Sequence, residues 1–531
     1  MTQHLLILPI LLPFLTGALL LFSSEARHGW RALFALFATL AQLAVALTLL
    51  AGIDGWIATP WQDGVTVYAL GNWAAPFGIV LVADHLATLM LTLTSILGLA
   101  TLVYALARWE RAGSHFLPLF QFLLMGLNGT FLTGDLFNLF VFFEVLLAAS
   151  YGLALHASGV PRAKTGLHYI VVNLVASLVF LVAAALIYGV TGTLNMAEIA
   201  LAVPRLDTDA RALFEIGALL LGIVFLVKAG AWPLNFWLPA TYAAATPPVG
   251  AVFAILTKVG VYALLRFSIL FGQDVAPAPF KGDWLFFCGL ATIAVGTLGV
   301  LAAQKLDRLG GFMVVVSSGT LLAAFGFTGT TLTAPALYYL ASSVLGSGAF
   351  FMLIELAERN RTAAADLLAI SFEAFGLQDR HESEHPDEMA GVAIPAAMAF
   401  LGLAFFSCAA VLSGLPPLSG FVAKFALLKA AIAAPPVAPA LNAGLLFTAL
   451  LLSGLAALIA LSRLGIRVFW DSERPTPRLQ WLEAGPVAGL VLLCFALAFG
   501  AGPAMAYFEA AARALHDPAT YIGVVLSGGR P

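Results

Sequence analysis

The sequence predicts an all-α polytopic membrane protein of about fourteen transmembrane helices. Three observations carry that reading. Of its 531 residues, 61% are hydrophobic and only 10% are charged, against about 25% charged in a typical soluble domain. The apolar residues fall in runs of the roughly 20 residues that a spanning helix needs. Barrel strands would instead show short alternating stretches. This composition excludes a soluble enzyme, a nucleic-acid binder and a disordered scaffold. The formal net charge of −3 says nothing about partners.

In chain order, the apolar runs lie near 4–22, 31–53, 77–107, 116–134, 136–156, 166–190, 212–231, 249–271, 284–303, 309–328, 333–357, 391–413, 440–462 and 485–508. The first lacks a basic flank and an Ala-x-Ala site, so it reads as a spanning helix rather than a cleaved leader. The stretch after the seventh run holds Pro233, Pro239, Pro247 and Pro248. The stretch after the twelfth holds Gly414, Pro416, Pro417 and Gly420. Proline inside a helix removes a backbone bond and clashes with the preceding turn. At membrane depth such breaks are tolerated where they line a cavity. The seventh and twelfth spans are therefore expected to be discontinuous, with Pro233, Pro247, Pro248, Pro416 and Pro417 marking the breaks. Paired interruptions of this kind point to a transporter-like site.

Basic residues set the orientation. One set of loops carries Arg27, Arg31, Arg108, Arg111, Arg162 and Lys164. The same side carries Lys305 and Arg308, Arg359 to Arg380, and Arg463 to Arg478. The opposite side has fewer, at Arg205, Arg211, Arg266, Lys281, Lys429, Arg513 and Arg530. Both termini are expected outside, in a bacterial inner membrane. The segment 359–390 carries Asp366, Glu373, Asp379, Glu382, Glu384, Asp387 and Glu388 and reads as a solvated inside loop, with ADLLAISFEAFG as an amphipathic alternative. That leaves no room for a nucleotide or redox-cofactor module, and no cofactor or metal is expected. Cys288, Cys408 and Cys494 lie singly in apolar runs and read as buried hydrophobes.

A charge at mid-bilayer costs about 2.5–3.5 kcal/mol even on lenient insertion scales. Glu144, Lys228, Lys258 and Lys424 sit well inside apolar runs, so they are the candidate functional residues. Burial favours a neutral lysine, whereas a carboxylate partner keeps it charged. Making and breaking a Glu144–Lys228 pair would thus move a proton. Lysine suits that task because it titrates readily, whereas arginine stays protonated. The spans are read as containing lysines and no arginine. Secondary candidates are Asp84 and Asp135, which also fit helix N-caps. His156 and His168 flank the loop between the fifth and sixth spans. Ser342 and Ser343 could support a water chain or simply allow close helix packing. Glu355 and Glu358 are expected to be solvated at the interface.

The runs TGDLFNLFVFFEVLLAASYGL, KAGAWPLNFWLPATYAAATPPVGAVFAILTKVGVYALLR and LSGLPPLSGFVAKF resemble the antiporter-like subunits shared by Mrp-type multisubunit cation/proton antiporters and respiratory complex I. The segments GLHYIVVNLVAS and VSSGTLLAAFG are most similar to the Mrp D subunit. The resemblance covers spans three to thirteen. It implies two inverted five-helix repeats with broken helices 7 and 12, a fifth-helix glutamate paired with a seventh-helix lysine, a further lysine on the eighth helix and an outlet residue on the twelfth. These fall on Glu144, Lys228, Lys258 and Lys424. The chain departs from the pattern at Ser342 and Ser343, where many relatives carry a histidine, and at Gly319 and Thr320, where many carry histidine or glutamine. Lys424 stands where a similar complex I relative has glutamate. No long lateral helix follows the fourteenth span.

The expected organisation is 1–110 for the first three helices, 111–271 for the first repeat, 272–470 for the second and 471–531 for the last helix and tail. The expected function is that of a secondary-transporter subunit rather than an enzyme. It would carry protons along the Glu/Lys relay in exchange for Na⁺ or K⁺, alongside other subunits of a hetero-oligomeric antiporter, with no nucleic-acid partner. The cation path is expected elsewhere, since three lysines repel a bare cation. The alternative is a proton-pumping subunit of a complex I-like oxidoreductase or membrane-bound hydrogenase. A solitary transporter is a third reading.

Overall fold

The computed structural model describes residues 2–527 except 25–27, 60, 62–63, 74–77, 114, 158, 272–279, 281, 328–330, 360–395, 434–439 and 470–478. The acidic loop expected at 359–390 therefore lies outside the described residues beyond Arg359. The described residues are almost wholly helical. In chain order the helices are α1 (Leu8–Phe22), α2 (His28–Ile53), α3 (His85–Arg108), α4 (Phe116–Leu132), α5 (Leu136–Ala154) and α6 (Val160–Thr191). Then come α7 (Met196–Ala202), α8 (Thr208–Ala229), α9 (Leu238–Ala244), α10 (Pro247–Phe271), α11 (Asp283–Ala302), α12 (Leu306–Gly326) and α13 (Thr333–Glu358). The last six are α14 (Ala396–Ser413), α15 (Ser419–Ile432), α16 (Ala440–Phe469), α17 (Trp481–Phe499), α18 (Ala501–Leu515) and α19 (Pro518–Leu526). Among the described residues, thirteen helices are long and apolar enough to cross a membrane, and α4 is a shorter apolar one. Together they match the fourteen expected runs.

Two boundaries differ from the sequence expectation. The third span starts at His85 rather than near residue 77, because Val80–Ala83 (β2) pairs antiparallel with Thr66–Ala69 (β1). Asp84 follows that strand and caps α3, accepting a hydrogen bond from the Ala87 amide at 2.9 Å. The apolar run at 485–508 covers parts of two helices. The chain turns at Gly500, between α17 and α18, and hydropathy alone does not register a change of direction.

Both expected breaks are present. The helices α8 and α14 each end at a glycine with positive φ, Gly230 at 68° and Gly414 at 82°. Such left-handed ends suit glycine, which has no Cβ to clash. The caps are alike. The Ala231 amide donates to the Leu226 carbonyl at 3.0 Å, and the Leu415 amide donates to the Ala410 carbonyl at 2.8 Å. Pro233 and the pair Pro416–Pro417 follow within the turns, which lead into α9 and α15. Pro247 and Pro248 do not break a helix. They open α10, where a missing N–H costs nothing because the first turn has no intrahelical acceptor for it.

Counting each broken pair as one span and leaving out the seven-residue α7, which is too short to cross a membrane, α4 to α10 and α11 to α16 make two repeats of five spans. An odd repeat length starts the second copy from the opposite face of the membrane, so the repeats are inverted. The central helices α10, α12 and α13 are almost entirely buried, whereas α1, α2, α6 and α17 lie at the periphery. Gly260 lets α10 approach α8 closely: a Cβ there would stand 2.5 Å from the Phe225 carbonyl.

Candidate functional site

Each of the four primary residues sits at a helix end or a helix–helix contact. Asp135 accepts a hydrogen bond from the Asn138 amide at 2.8 Å and so caps α5. From that helix Glu144, half-buried, accepts a hydrogen bond from the Ser177 hydroxyl of α6. Lys228 lies in the last turn of α8 and is buried. Its ammonium sits 4.7 Å from the centre of the Phe143 ring, and Nζ has no hydrogen-bond partner among the described residues. The ring face and the negative end of α8 both favour a cation there. The expected Glu144–Lys228 ion pair is therefore not closed in this structure. The lysine meets the ring of the residue before the glutamate, and the carboxylate turns to serine.

Lys258, at the middle of α10, is 2% exposed and donates to Ser317 Oγ of α12 at 2.8 Å. Lys424 reaches from α15 to the carbonyl of Ser413, the last residue of α14, at 2.8 Å. Helix-terminal carbonyls lack intrahelical donors, so the break supplies this ammonium with an acceptor. A cavity of about 290 Å³ lies beside it, walled by Phe421, Phe425 and Leu451 among others. Ser342 of α13 bonds Ser419 at the start of α15 at 2.8 Å, and Ser343 bonds the Leu340 carbonyl in its own helix. Of the serine pair, Ser342 thus bridges two helices and Ser343 does not.

The histidines are placed differently. His156 is buried, with Nε2 2.9 Å from the Trp109 carbonyl and the ring 5.0 Å from that of Phe116. Burial pulls its pKa below the ordinary imidazole value, against the opposing effect of that carbonyl. His168 is exposed, 3.0 Å from the Lys164 carbonyl in its own helix. Burial raises the Asp135 carboxyl, and its backbone hydrogen bonds lower it. No group of three or more His, Cys, Asp or Glu is placed to hold a metal among the described residues. The three cysteines are free.

Two charged constellations depart from the sequence expectation. Arg266, expected in an outside segment, is buried within α10 and pairs with Asp84. Arg31 is also buried, in α2. The spans therefore hold arginine as well as lysine. Nor is Glu355 solvated. It accepts hydrogen bonds from Tyr104, Arg108 and Arg359, and Arg359 also binds Glu483 at 2.6 and 2.8 Å. This cluster ties α3, α13 and α17 together. A signal for Arg266 exists in the sequence: Lys258, Tyr262 and Arg266 are four residues apart, on one helix face.

The family model for NADH:quinone oxidoreductase/Mrp antiporter transmembrane subunits matches residues 133–452, which include every break and every candidate lysine. The chain belongs to this family. The D subunit of a probable K⁺/H⁺ antiporter from Rhizobium meliloti is 52% identical, over 99% of this chain and 98% of that one. The D subunit of a Na⁺/H⁺ antiporter from Alkalihalophilus pseudofirmus is 36% identical, over 99% of both chains. Among solved structures, a chain of the Mrp complex from Dietzia superposes with a TM-score of 0.82 at 27% identity, covering 99% of each chain. In this NADH:quinone oxidoreductase/Mrp antiporter family member, the matched region thus coincides with the part of the bundle that holds Glu144 and the three lysines.

Proposed function

We propose that the chain is the proton-carrying subunit of a multisubunit monovalent cation/proton antiporter in the bacterial cell membrane, with both termini outside. The observation that carries this reading is the placement of Glu144, Lys228, Lys258 and Lys424. All lie within the bundle, two of the lysines against the ends of broken helices, in a chain that otherwise keeps charge scarce. Near-full-length similarity to subunits named as antiporter components supports the assembly with other subunits. The higher identity to the K⁺/H⁺ relative favours K⁺ over Na⁺ as the exchanged cation.

The proton moves as follows. With the Glu144 carboxylate beside it, Lys228 keeps its proton. When the carboxylate turns to Ser177, as in this structure, the ammonium is held only by the Phe143 ring and the end of α8 and passes its proton toward Lys258. Ser317, Ser342 and Ser419 lie along the way to Lys424, whose neighbouring cavity is the outlet. The cation crosses elsewhere in the complex, because three ammonium groups repel it.

The test is cation-dependent proton movement in everted vesicles from cells expressing the whole complex. Lys228→Ala and Glu144→Ala should each abolish exchange while the complex assembles normally. Full exchange in both variants would show the relay to be wrong.

A further inference from the structure

One buried ion pair lies outside the Glu/Lys relay. Arg266 Nη1 and Nη2 donate to the two oxygens of Asp84 at 2.5 and 2.9 Å. Both side chains are buried. Such a pair is a weak source of stability, because stripping water from two charges offsets their attraction. Its surroundings suggest another reason for its presence. The pair forms part of the wall of a cavity of about 310 Å³. Across the cavity stand Asp517, Thr520 and Tyr521, from the C-terminal segment around α19, and Asp517 is exposed at its rim.

His85 lines the same cavity. It is 8% exposed, its Nε2 lies 3.7 Å from Asp54, and its Nδ1 has no hydrogen-bond partner among the described residues. Tyr507 of α18 donates to the His85 carbonyl at 3.1 Å. The titratable and charged groups around the pair are thus Asp54, His85, Tyr262, Tyr507, Asp517 and Tyr521. Inward from the pair, Arg266 Nη2 donates to the Tyr262 hydroxyl at 3.2 Å, and that hydroxyl donates to the Phe131 carbonyl at 2.8 Å. Tyr262 is one turn, roughly 6 Å of helix rise, from Lys258 on the same face of α10.

We propose that this cavity is a second proton portal, opening on the side of the C-terminus and leading through Asp84, Arg266 and Tyr262 to Lys258. A proton from the medium reaches Asp84 by way of His85. Once Asp84 is neutral, its hold on Arg266 weakens. Arginine itself stays protonated, so it acts as the gate and not as a carrier. Its guanidinium, already 5.2 Å from the Tyr521 ring centre, swings toward that ring and uncovers the Tyr262 hydroxyl. The phenol then accepts the proton from Asp84 as it gives its own to Lys258. Asp84 becomes a carboxylate again and recaptures Arg266. The portal rests on the relay reading, through Lys258, and adds an entrance that the four relay residues do not supply.

The test uses the whole complex in a Cys288→Ser background. Thr520→Cys is treated in intact cells with a membrane-impermeant cationic methanethiosulfonate, and vesicles are then everted. Exchange should fall about tenfold, equivalent to 1.36 kcal/mol in barrier, relative to untreated vesicles of the same variant. Tyr262→Phe, which removes a single oxygen, should fall by a similar factor at normal assembly. A loss below about threefold in either measurement overturns the portal. Lys258→Met in the same assay separates the two readings. Should it be inactive while the portal variants exchange normally, only the portal is wrong. Should it exchange normally, the relay is wrong and the portal falls with it.

Discussion

Among the described residues, the Ser317 hydroxyl is the one hydrogen-bond acceptor for the Lys258 ammonium, at 2.8 Å and with the lysine 2% exposed. Replacing Ser317 with alanine removes that acceptor and leaves the stem packed as before. A hydrogen bond to a charged group contributes about 1.5–3 kcal/mol, and a buried charge left unsatisfied pays at least that. Each 1.4 kcal/mol is about a tenfold change in rate if the lost contact stabilises the species that carries the proton. Ser317→Ala is therefore expected to lower exchange by roughly 10- to 100-fold. Ser317→Thr, which retains the hydroxyl, should recover most of it. The assay is dissipation of a preformed pH gradient in everted vesicles on addition of K⁺ or Na⁺, normalised to assembled complex. Parental rates in Ser317→Ala would refute the reasoning, because Lys258 would then need no partner to hold its proton.

Three further outcomes follow from the geometry. Arg359→Ala leaves the buried Glu483, with 1% side-chain exposure, without its half-buried ion-pair partner. Breaking such a pair costs about 3–5 kcal/mol, so the purified complex should melt at a clearly lower temperature, and an unchanged melting curve would contradict the cluster's bracing role. His156 has a folded-state pKa below the ordinary value of 6.5. Its neutral form therefore stabilises the fold above that value, and the contribution is lost as pH falls below it. His156→Gln should flatten the acid-side decline in thermal stability below that pH, and an unaltered decline would count against His156 as its source. Phe143→Leu removes the ring beneath Lys228, a contact worth about 0.5–2 kcal/mol. Exchange should drop by roughly two- to thirtyfold, with Phe143→Tyr close to the parent in the same vesicle assay.

Much of this is legible in the sequence because the membrane makes charge expensive. A lysine alone in an apolar run stands out against its neighbours, so Lys228, Lys258 and Lys424 can be singled out from their surroundings. The breaks are legible for a similar reason: glycine and proline are the residues that end a helix, and Gly230, Pro233, Gly414 and Pro417 sit where α8 and α14 stop. Side-chain partners are not legible. Whether Glu144 meets Lys228 or Ser177 depends on how α5, α6 and α8 pack, which no local pattern encodes. Arg266 escapes an orientation rule that counts distance from a span end and not burial. That residue is only five positions from the end of α10, yet it is covered by the C-terminal helices. Glu355 escapes it in the same way, since its partners Tyr104, Arg108 and Arg359, and Glu483 beyond them, come largely from distant parts of the chain.

The central claim is that these lysines work by releasing and regaining a proton, and Lys228→Arg tests it most directly. Arginine preserves the positive charge over Phe143 at the end of α8 and cannot give up its proton. Exchange by assembled Lys228→Arg complexes in everted vesicles should be lost as completely as in Lys228→Ala. Exchange at the parental rate would show that a fixed charge suffices, and the proton relay would be contradicted.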